Sequence, residues 1–71
     1  MPYQSKDELP DSVKELPAHG QDIFLKTFNA VIADKDEETA FKFAWAAVKK
    51  IYRKEGDKWV KREDYGAIIY L

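Results

Sequence analysis

Residues 37–49 read EETAFKFAWAAVK, and this stretch decides the fold. Apolar side chains recur in it at the spacing of an α-helix with one apolar face. With one further turn of chain, the set comprises Phe41, Ala44, Trp45, Val48, Ile51 and Tyr52. Acidic residues crowd the start of the stretch and lysines its end, which is the order that the helix dipole favours. The pattern predicts a helix capped by Asp34 or Asp36 and stopped at Gly56.

Two further helices are predicted upstream of this stretch. The longer one should run from Pro17 to Ala33, because an apolar stripe recurs there at helical spacing. The stripe comprises Phe24, Leu25, Phe28, Val31 and Ile32. A short helix is predicted at Asp11–Glu15, and Pro17 should halt it because proline disfavours helical geometry in the preceding residue. The link between the two long helices is about four residues long, which favours antiparallel packing.

After Gly56 the sequence becomes typical of β-structure. Trp59–Lys61 reads as a strand, and its candidate partners are Pro2–Gln4 and Ala67–Tyr70. We therefore predict an α+β, mainly helical fold with about three helices, one of them short. A small β-sheet formed by the chain ends should pack beside them. Residues 1–71 are too few for two domains, so we expect a single one.

The composition excludes several classes of protein. The chain has no cysteine, so it holds no disulfide, thiolate zinc site or cysteine nucleophile. No apolar run approaches the ~20 residues of a membrane helix, and residues 1–15 do not resemble a signal peptide. We expect a soluble, cytoplasmic protein that needs no cofactor and is not an enzyme.

A basic segment is the most informative surface feature of the sequence. Although the net charge is −1, residues 42–62 hold eight basic residues against two acidic ones. Lys42, Lys49 and Arg53 fall at intervals of seven and four, which predicts one helical face opposite the core. The candidate partner-binding residues are Lys42, Lys49, Lys50, Arg53, Lys54, Lys58, Lys61, Arg62 and Trp59. They form either a solvated surface or a patch for an acidic partner, whether nucleic acid, anionic membrane or protein.

Other residues with chemical potential have simpler interpretations. His19 is the sole histidine, and no hydroxyl and acid are spaced to make it a catalytic base, so a packing or capping role is expected. The acids of residues 34–38 lead directly into a helix, which favours capping over a metal site. Trp45 lies within the apolar stripe and is predicted to be core. Trp59 is either core, which we favour, or a stacking platform for bases.

The 37–49 stretch, together with its exit, resembles the ChaB family. The matching pieces are residues 37–49, Tyr52, Lys54, Gly56-Asp57, Trp59, and upstream Met1-Pro2-Tyr3, Leu9-Pro10, Leu16-Pro17-Ala18-His19 and Gln21-Asp22-Ile23-Phe24. The resemblance spans about residues 1–62, and its AWAAVK segment is specific. It implies three helices with a small sheet, and a regulator of cation transport associated with a sodium or calcium/proton antiporter.

ChaB-like domains also occur in viruses and beside nucleic-acid-related modules, so the resemblance leaves two functions open. The first is an adaptor or regulator that binds a protein partner, such as a membrane antiporter. The second is a nucleic-acid-binding module that uses the same basic face. The chain departs from the family pattern at Phe41, where histidine is frequent, and in a short link between the long helices. Residues 63–71 are an extension, whose Ile68, Ile69 and Leu71 could drive dimerisation if they are exposed.

Overall fold

A computed structural model describes residues 2–62, and the chain forms three helices followed by a β-hairpin. The helices are α1 (Asp11–Lys14), α2 (Ala18–Ile32) and α3 (Glu37–Ile51). The strands are β1 (Tyr52–Glu55) and β2 (Lys58–Lys61), and a single 3₁₀ turn at Lys6–Glu8 precedes α1. The predicted mainly helical α+β class is confirmed, and α1 and α2 begin and end within one residue of the predicted positions. No helix among residues 2–62 is long and apolar enough to cross a membrane.

The start of α3 is fixed by Asp36. Its carboxylate Oδ1 accepts a hydrogen bond from the Thr39 backbone N–H at 3.1 Å, so Asp36 and not Asp34 caps the helix. The pKa of the Asp36 carboxyl lies below its ordinary value of 3.8. The main cause is a hydrogen bond from the Thr39 hydroxyl, and the second is the hydrogen bond from the Thr39 backbone N–H. This cap explains one of the acids in the 34–38 run without a bound metal ion.

The hydrophobic core lies between α2 and α3, and aromatic side chains form much of it. Phe24 and Phe28 on α2 are fully buried. The Phe28 ring lies 4.9 Å from that of Phe41 and the Phe24 ring 5.2 Å from that of Trp45, centroid to centroid. Because later residues of α2 meet earlier residues of α3, the two helices run antiparallel, as predicted. The other fully or nearly buried apolar residues are Leu9, Val13, Leu16, Ala40, Ala44, Val48 and Tyr52.

Asn29 on α2 holds the amino-terminal segment through two hydrogen bonds. Asn29 accepts a hydrogen bond from the Tyr3 backbone N–H and donates one to the Tyr3 carbonyl, both at 2.8 Å. The Tyr3 ring also lies 4.7 Å from that of Phe28. This pairing imitates one rung of a β-sheet, but residues 2–4 form no strand. Pro2–Gln4 is therefore not the partner of the predicted Trp59–Lys61 strand.

The sheet partner of that strand is the segment expected to be the last turn of α3. Tyr52 pairs with Lys61, and Lys54 pairs with Trp59, in an antiparallel two-stranded hairpin. Gly56 adopts a φ of +65° in the two-residue turn, the left-handed geometry that a hairpin of this length needs. The prediction that α3 continues to Glu55 and stops at Gly56 is thus wrong by four residues, because the helix ends at Ile51. The other candidate strand, Ala67–Tyr70, lies outside the described residues.

Tyr52 joins the hairpin to the helices. Its side chain is buried, and its hydroxyl lies 3.2 Å from His19 Nδ1 on α2. Gly20 lies beside this contact. A Cβ there would make an ordinary contact with the Tyr52 ring at 3.5 Å but would crowd the Leu16 Cβ at 3.1 Å. The Arg62 backbone N–H donates to the Ile51 carbonyl at 2.7 Å and closes the open end of the hairpin on α3. The hairpin is therefore fixed to the helices at both the start of β1 and the end of β2.

Candidate partner-binding face

The outer side of α3 carries two exposed lysines around a tryptophan. Lys42, Trp45 and Lys49 are spaced by three and four residues, so they lie on one side of the helix. Both lysines are exposed, while Trp45 is half-buried and packs its ring edge against Phe24 at 5.2 Å. Trp45 therefore contacts the core, as predicted, and also reaches the surface.

The hairpin adds a second tryptophan and a third lysine to this side. The Trp59 ring stacks on Trp45 with 5.6 Å between centroids and 23° between planes. Lys54, the cross-strand neighbour of Trp59, holds its ammonium 5.9 Å from the Trp59 ring centroid. Such a cation–π contact at the surface contributes about 0.5–1 kcal/mol. We name the surface formed by Lys42, Trp45, Lys49, Lys54 and Trp59 the Trp–Lys face.

Two open grooves meet on the Trp–Lys face, and Trp45 and Lys49 line both. The groove between α1, α3 and the hairpin has a volume of about 390 Å³ and is lined by Ser12, Trp45, Lys49, Lys54 and Trp59. The groove along α3 has a volume of about 480 Å³ and is lined by Glu38, Phe41, Lys42, Trp45, Ala46 and Lys49. Among the described residues, no carboxylate lines the first groove, so its polar walls are ammonium and hydroxyl groups.

The lysines of the Trp–Lys face also lack ion-pair partners within the described part of the chain. Lys42, Lys49 and Lys54 form no ion pair with any residue between 2 and 62. Elsewhere, Lys6 pairs with Asp22 at 2.9 Å. Three positive charges beside two aromatic rings are thus left to solvent or to a partner.

The remaining basic residues of the predicted patch lie on other surfaces. Arg53 is in β1 and not in α3, and strand alternation places it on the hairpin face opposite Lys54. Its guanidinium contacts Glu55 at 2.9 Å. The predicted single helical face through Arg53 is therefore wrong, because the helix ends at Ile51. Lys58 shares the Arg53 side of the hairpin.

Three basic residues flank the Trp–Lys face without being part of it. Lys50 follows Lys49 by one residue, so about 100° of helix rotation turns it away from Trp45. Lys61 pairs with Tyr52 and shares the hairpin side of Trp59, at the end far from the turn. Arg62 is half-buried and donates from its guanidinium to the Lys49 carbonyl at 3.5 Å. The structure thus divides the predicted patch into parts with different surroundings.

Sequence reasoning missed the Trp45–Trp59 stack and the wall supplied by Ser12. A usable signal for the stack was present, because a two-residue Gly56-Asp57 turn sets the hairpin register and places Trp59 opposite Lys54. Nothing in the sequence indicated that α1 would supply Ser12. In residues 2–62, no group of three or more histidine or acidic side chains could hold a metal ion.

Comparison with known proteins decides the family. The ChaB family model matches residues 9–62, most of the chain. The chain belongs to the ChaB family. An Escherichia coli K12 relative named "Putative cation transport regulator ChaB" is 48% identical over 75 aligned positions, which cover 87% of this chain and 99% of the relative.

The ChaB relatives extend to viruses and to a solved structure. A Lymantria dispar nuclear polyhedrosis virus protein, named "Uncharacterized 10.9 kDa protein in LEF8-FP intergenic region", is 35% identical over 90% of this chain and 68% of its own length. A solution NMR structure of a ChaB protein superposes with a TM-score of 0.72 and 43% identity, covering 87% of this chain and all of that one. The resemblance to ChaB and the predicted fold are both confirmed.

Proposed function

We propose that this protein is a cytoplasmic, non-enzymatic regulator that binds a protein partner, namely a sodium or calcium/proton antiporter of the membrane. The single observation that carries the proposal is the set of exposed lysines without ion-pair partners beside the Trp45–Trp59 stack. Of the residues predicted from the sequence, we assign Lys42, Lys49, Lys54 and Trp59 to the binding surface. The other five flank this surface or lie on other sides of the molecule: Lys50, Arg53, Lys58, Lys61 and Arg62. The whole chain, residues 1–71, acts as a single domain.

The chemistry of the surface suits an acidic partner. Exposed ammonium groups attract carboxylates over about 10 Å at moderate salt, which speeds association. Aromatic side chains that are held rigid add contact area at low entropic cost. The name of the Escherichia coli relative supports cation transport as the process that is regulated.

A non-enzymatic role is supported by the environment of His19. Its Nδ1 lies 3.2 Å from the Tyr52 hydroxyl, and the two rings meet at 66° with 6.1 Å between centroids. This histidine thus links α2 to the hairpin, which is the packing role predicted from its position. Nδ1 is the atom that a carboxylate orients in a catalytic serine–histidine–acid group, and here it contacts the Tyr52 hydroxyl instead.

Co-purification with the antiporter tests the proposal. Membranes that contain the antiporter should retain the tagged chain, and Lys49→Glu should remove most of that retention. Lys26→Glu on α2, which is exposed and makes the same change in net charge, is the matched control and should be retained like the wild type. Failure of the wild-type chain to co-purify at low salt would contradict the proposal.

Nucleic acid is the second candidate partner, favoured by the position of Trp59 beside Lys54. One face of the Trp59 ring is already stacked on Trp45, which leaves less of it for a base. A gel-shift titration separates the two functions, because nucleic-acid binding weakens steeply as salt rises. Absence of binding to DNA and RNA at low salt would remove this candidate.

A further inference from the structure

The basic residues are not equivalent, and one groove has the features of a specific site. We propose that the 390 Å³ groove lined by Trp45, Lys49, Lys54 and Trp59 docks an acidic segment of the partner protein. An apolar side chain of that segment lies on the stacked indoles, and its carboxylates face the two lysines. The inference rests on the proposed function and specifies the chemistry that the partner must present.

Charge complementarity identifies the occupant as acidic. Among the described residues, the polar groups of the groove are the Ser12 hydroxyl and the Lys49 and Lys54 ammonium groups, and no carboxylate lines it. Lys42 lies farther along α3 in the adjoining groove and extends the positive charge beyond the first pair. A segment with several carboxylates would meet Lys49 and Lys54 in the first groove and Lys42 in the second, which Glu38 also lines.

The floor of the groove requires an apolar group as well as charge. The Trp45 ring packs at 70° to the buried Phe24 ring, and the Trp59 ring stacks on that of Trp45. Contacts with other rings therefore hold both indoles in place. Trp59 remains half-buried, and hydrophobic area is left beside the lysines. Tryptophans in such positions are the side chains that most often dominate binding at protein interfaces. A highly acidic segment without an apolar residue would leave this floor uncovered.

A protein segment fits the groove better than nucleic acid. A duplex-binding protein typically neutralises about 6–10 phosphates, whereas the Trp–Lys face offers three lysines. Arginine, which binds phosphate or carboxylate with two parallel hydrogen bonds, would add to such a surface. The Arg53 guanidinium contacts Glu55 on the other side of the hairpin, and that of Arg62 donates to a backbone carbonyl. The Trp–Lys face therefore presents three point charges, fewer than such a duplex-binding surface uses.

Intrinsic fluorescence provides a direct measurement. The chain has two tryptophans, and both lie in the floor of the groove. The probe is an acetylated, amidated synthetic peptide that alternates glutamate with leucine and carries one central phenylalanine, without tyrosine or tryptophan. We expect a saturable change in tryptophan emission that weakens as salt rises. A peptide with glutamine in place of glutamate, and one with serine in place of leucine and phenylalanine, should each bind more weakly.

Adjacent lysines supply the decisive pair of variants. Lys49→Glu should weaken peptide binding by about tenfold or more, because it places a carboxylate in the groove. Lys50→Glu makes the same change in net charge on another side of α3 and should change binding less than about threefold. Lys54→Glu and Lys58→Glu form a second matched pair on the hairpin. Both lysines of each pair are exposed, so thermal melts should show all four variants folded.

Each outcome of the titration decides for or against the groove. No emission change with the peptide, or equal weakening by Lys49→Glu and Lys50→Glu, would overturn the inference. Tighter binding of a DNA oligomer than of the peptide, lost in Lys49→Glu, would also overturn it in favour of nucleic acid. If the peptide binds as expected but the antiporter does not co-purify, the groove stands and the proposed partner is wrong. If the antiporter co-purifies but the peptide does not bind, the groove is wrong.

Discussion

Contacting aromatic rings extend from the α2–α3 pair into the β-hairpin, but those on α2 are buried and that of the hairpin is partly exposed. In the helix pair, Phe24 and Phe28 are 0% and 1% exposed, and their rings pack only against other side chains. In the hairpin, Trp59 is half-buried, with Trp45 on its ring and the Lys54 ammonium beside it. This difference in burial indicates that the two groups of aromatic rings have different roles in the protein. The buried side of the helix pair supplies the core, and Trp59 and Lys54 of the hairpin complete the charged aromatic surface that begins on α3.

The hairpin depends on the helix pair for its structure. An isolated two-stranded hairpin is at best marginally stable in water. Here the Trp45–Trp59 stack, the buried Tyr52 and the bond from Arg62 to Ile51 attach it to α3. Damage to the helix pair should therefore destroy both regions, while damage to the hairpin should leave the helices folded.

The largest effect is expected from Phe24→Ala in the helix pair. The Phe24 ring contacts those of Phe28, Phe41 and Trp45, and its loss leaves a cavity at the centre of the core. Such truncations cost about 3–5 kcal/mol. A chain of this length has a total stability of only about 4–10 kcal/mol. Chemical denaturation followed by far-UV circular dichroism should show a protein that is largely or wholly unfolded.

Phe43→Ala is the matched control for the burial of Phe24. Phe43 lies on the same helix as Trp45 but is 49% exposed. Its removal should change the unfolding free energy by about 0.5 kcal/mol or less. Equal destabilisation by the two alanine substitutions would contradict the assignment of the core to the Phe24 side of the helix pair.

Gly56→Val tests the hairpin, and its expected cost in stability is smaller than that of Phe24→Ala. A Cβ at Gly56 would meet nothing within 4 Å, so the cost comes from the backbone φ of +65° alone. Left-handed geometry costs a residue with a side chain about 1–2 kcal/mol, and β-branching makes it worse. The hairpin should open while the helical circular dichroism signal persists. Tryptophan emission should shift, because Trp59 leaves Trp45, and acidic-peptide binding should fall.

Gly56→Asn separates backbone strain from the loss of glycine itself. Asparagine tolerates left-handed geometry better than other residues with side chains, so this variant should retain the hairpin and most of the binding. If Gly56→Val melted α2 and α3 together with the hairpin, the two regions would be one cooperative unit. The helix pair would then not be the independent part of the molecule.

The contrast between the two regions also explains which features could be predicted from sequence. The helix pair was predictable because Phe24 and Phe28, like Ala44 and Val48, repeat at the spacing of a helix that buries one side. Residues 52–55 show no such repeat, since Tyr52 is their sole apolar residue. Gly56 fits both a helix end and a hairpin turn, because each uses a left-handed residue. The tertiary contacts of the hairpin decide between them, among them the Trp45–Trp59 stack and the buried Tyr52.

The candidate site was predictable in composition but not in arrangement. The count of lysines and the neighbourhood of Trp59 were visible in the sequence, whereas the division into faces depends on where α3 ends. Once the chain turns at Ile51, Arg53 and Lys54 point to opposite sides of a strand. A helix that continued through residue 53 would instead place Arg53 on the same face as Lys42 and Lys49. Sequence periodicity thus predicts a binding face only as well as it predicts the boundaries of the element that carries it.

The smallest expected effect lies at the cap of α3, and it depends on pH. In the folded protein, hydrogen bonds from the Thr39 hydroxyl, and secondly from the Thr39 backbone N–H, lower the pKa of Asp36 below 3.8. The negative charge of Asp36 also lies at the positive end of the helix dipole. A carboxyl whose folded pKa lies below its unfolded pKa stabilises the fold fully above the unfolded value. That stabilisation is lost as the pH falls through the folded pKa. Asp36→Ala should therefore lower the melting temperature at pH 7, and the difference from wild type should shrink in acid.

Asp36→Asn distinguishes the charge of the cap from its hydrogen bond. Asparagine caps helices about as well as aspartate but does not titrate, so its contribution should stay nearly constant as the pH falls. Melting curves of the three proteins from neutral to acidic pH therefore measure the cap, because the Asp36 side chain is exposed and its carboxylate bonds to Thr39. A pH-independent gap between wild type and Asp36→Ala would assign the effect of Asp36 to helix propensity instead of its ionised cap.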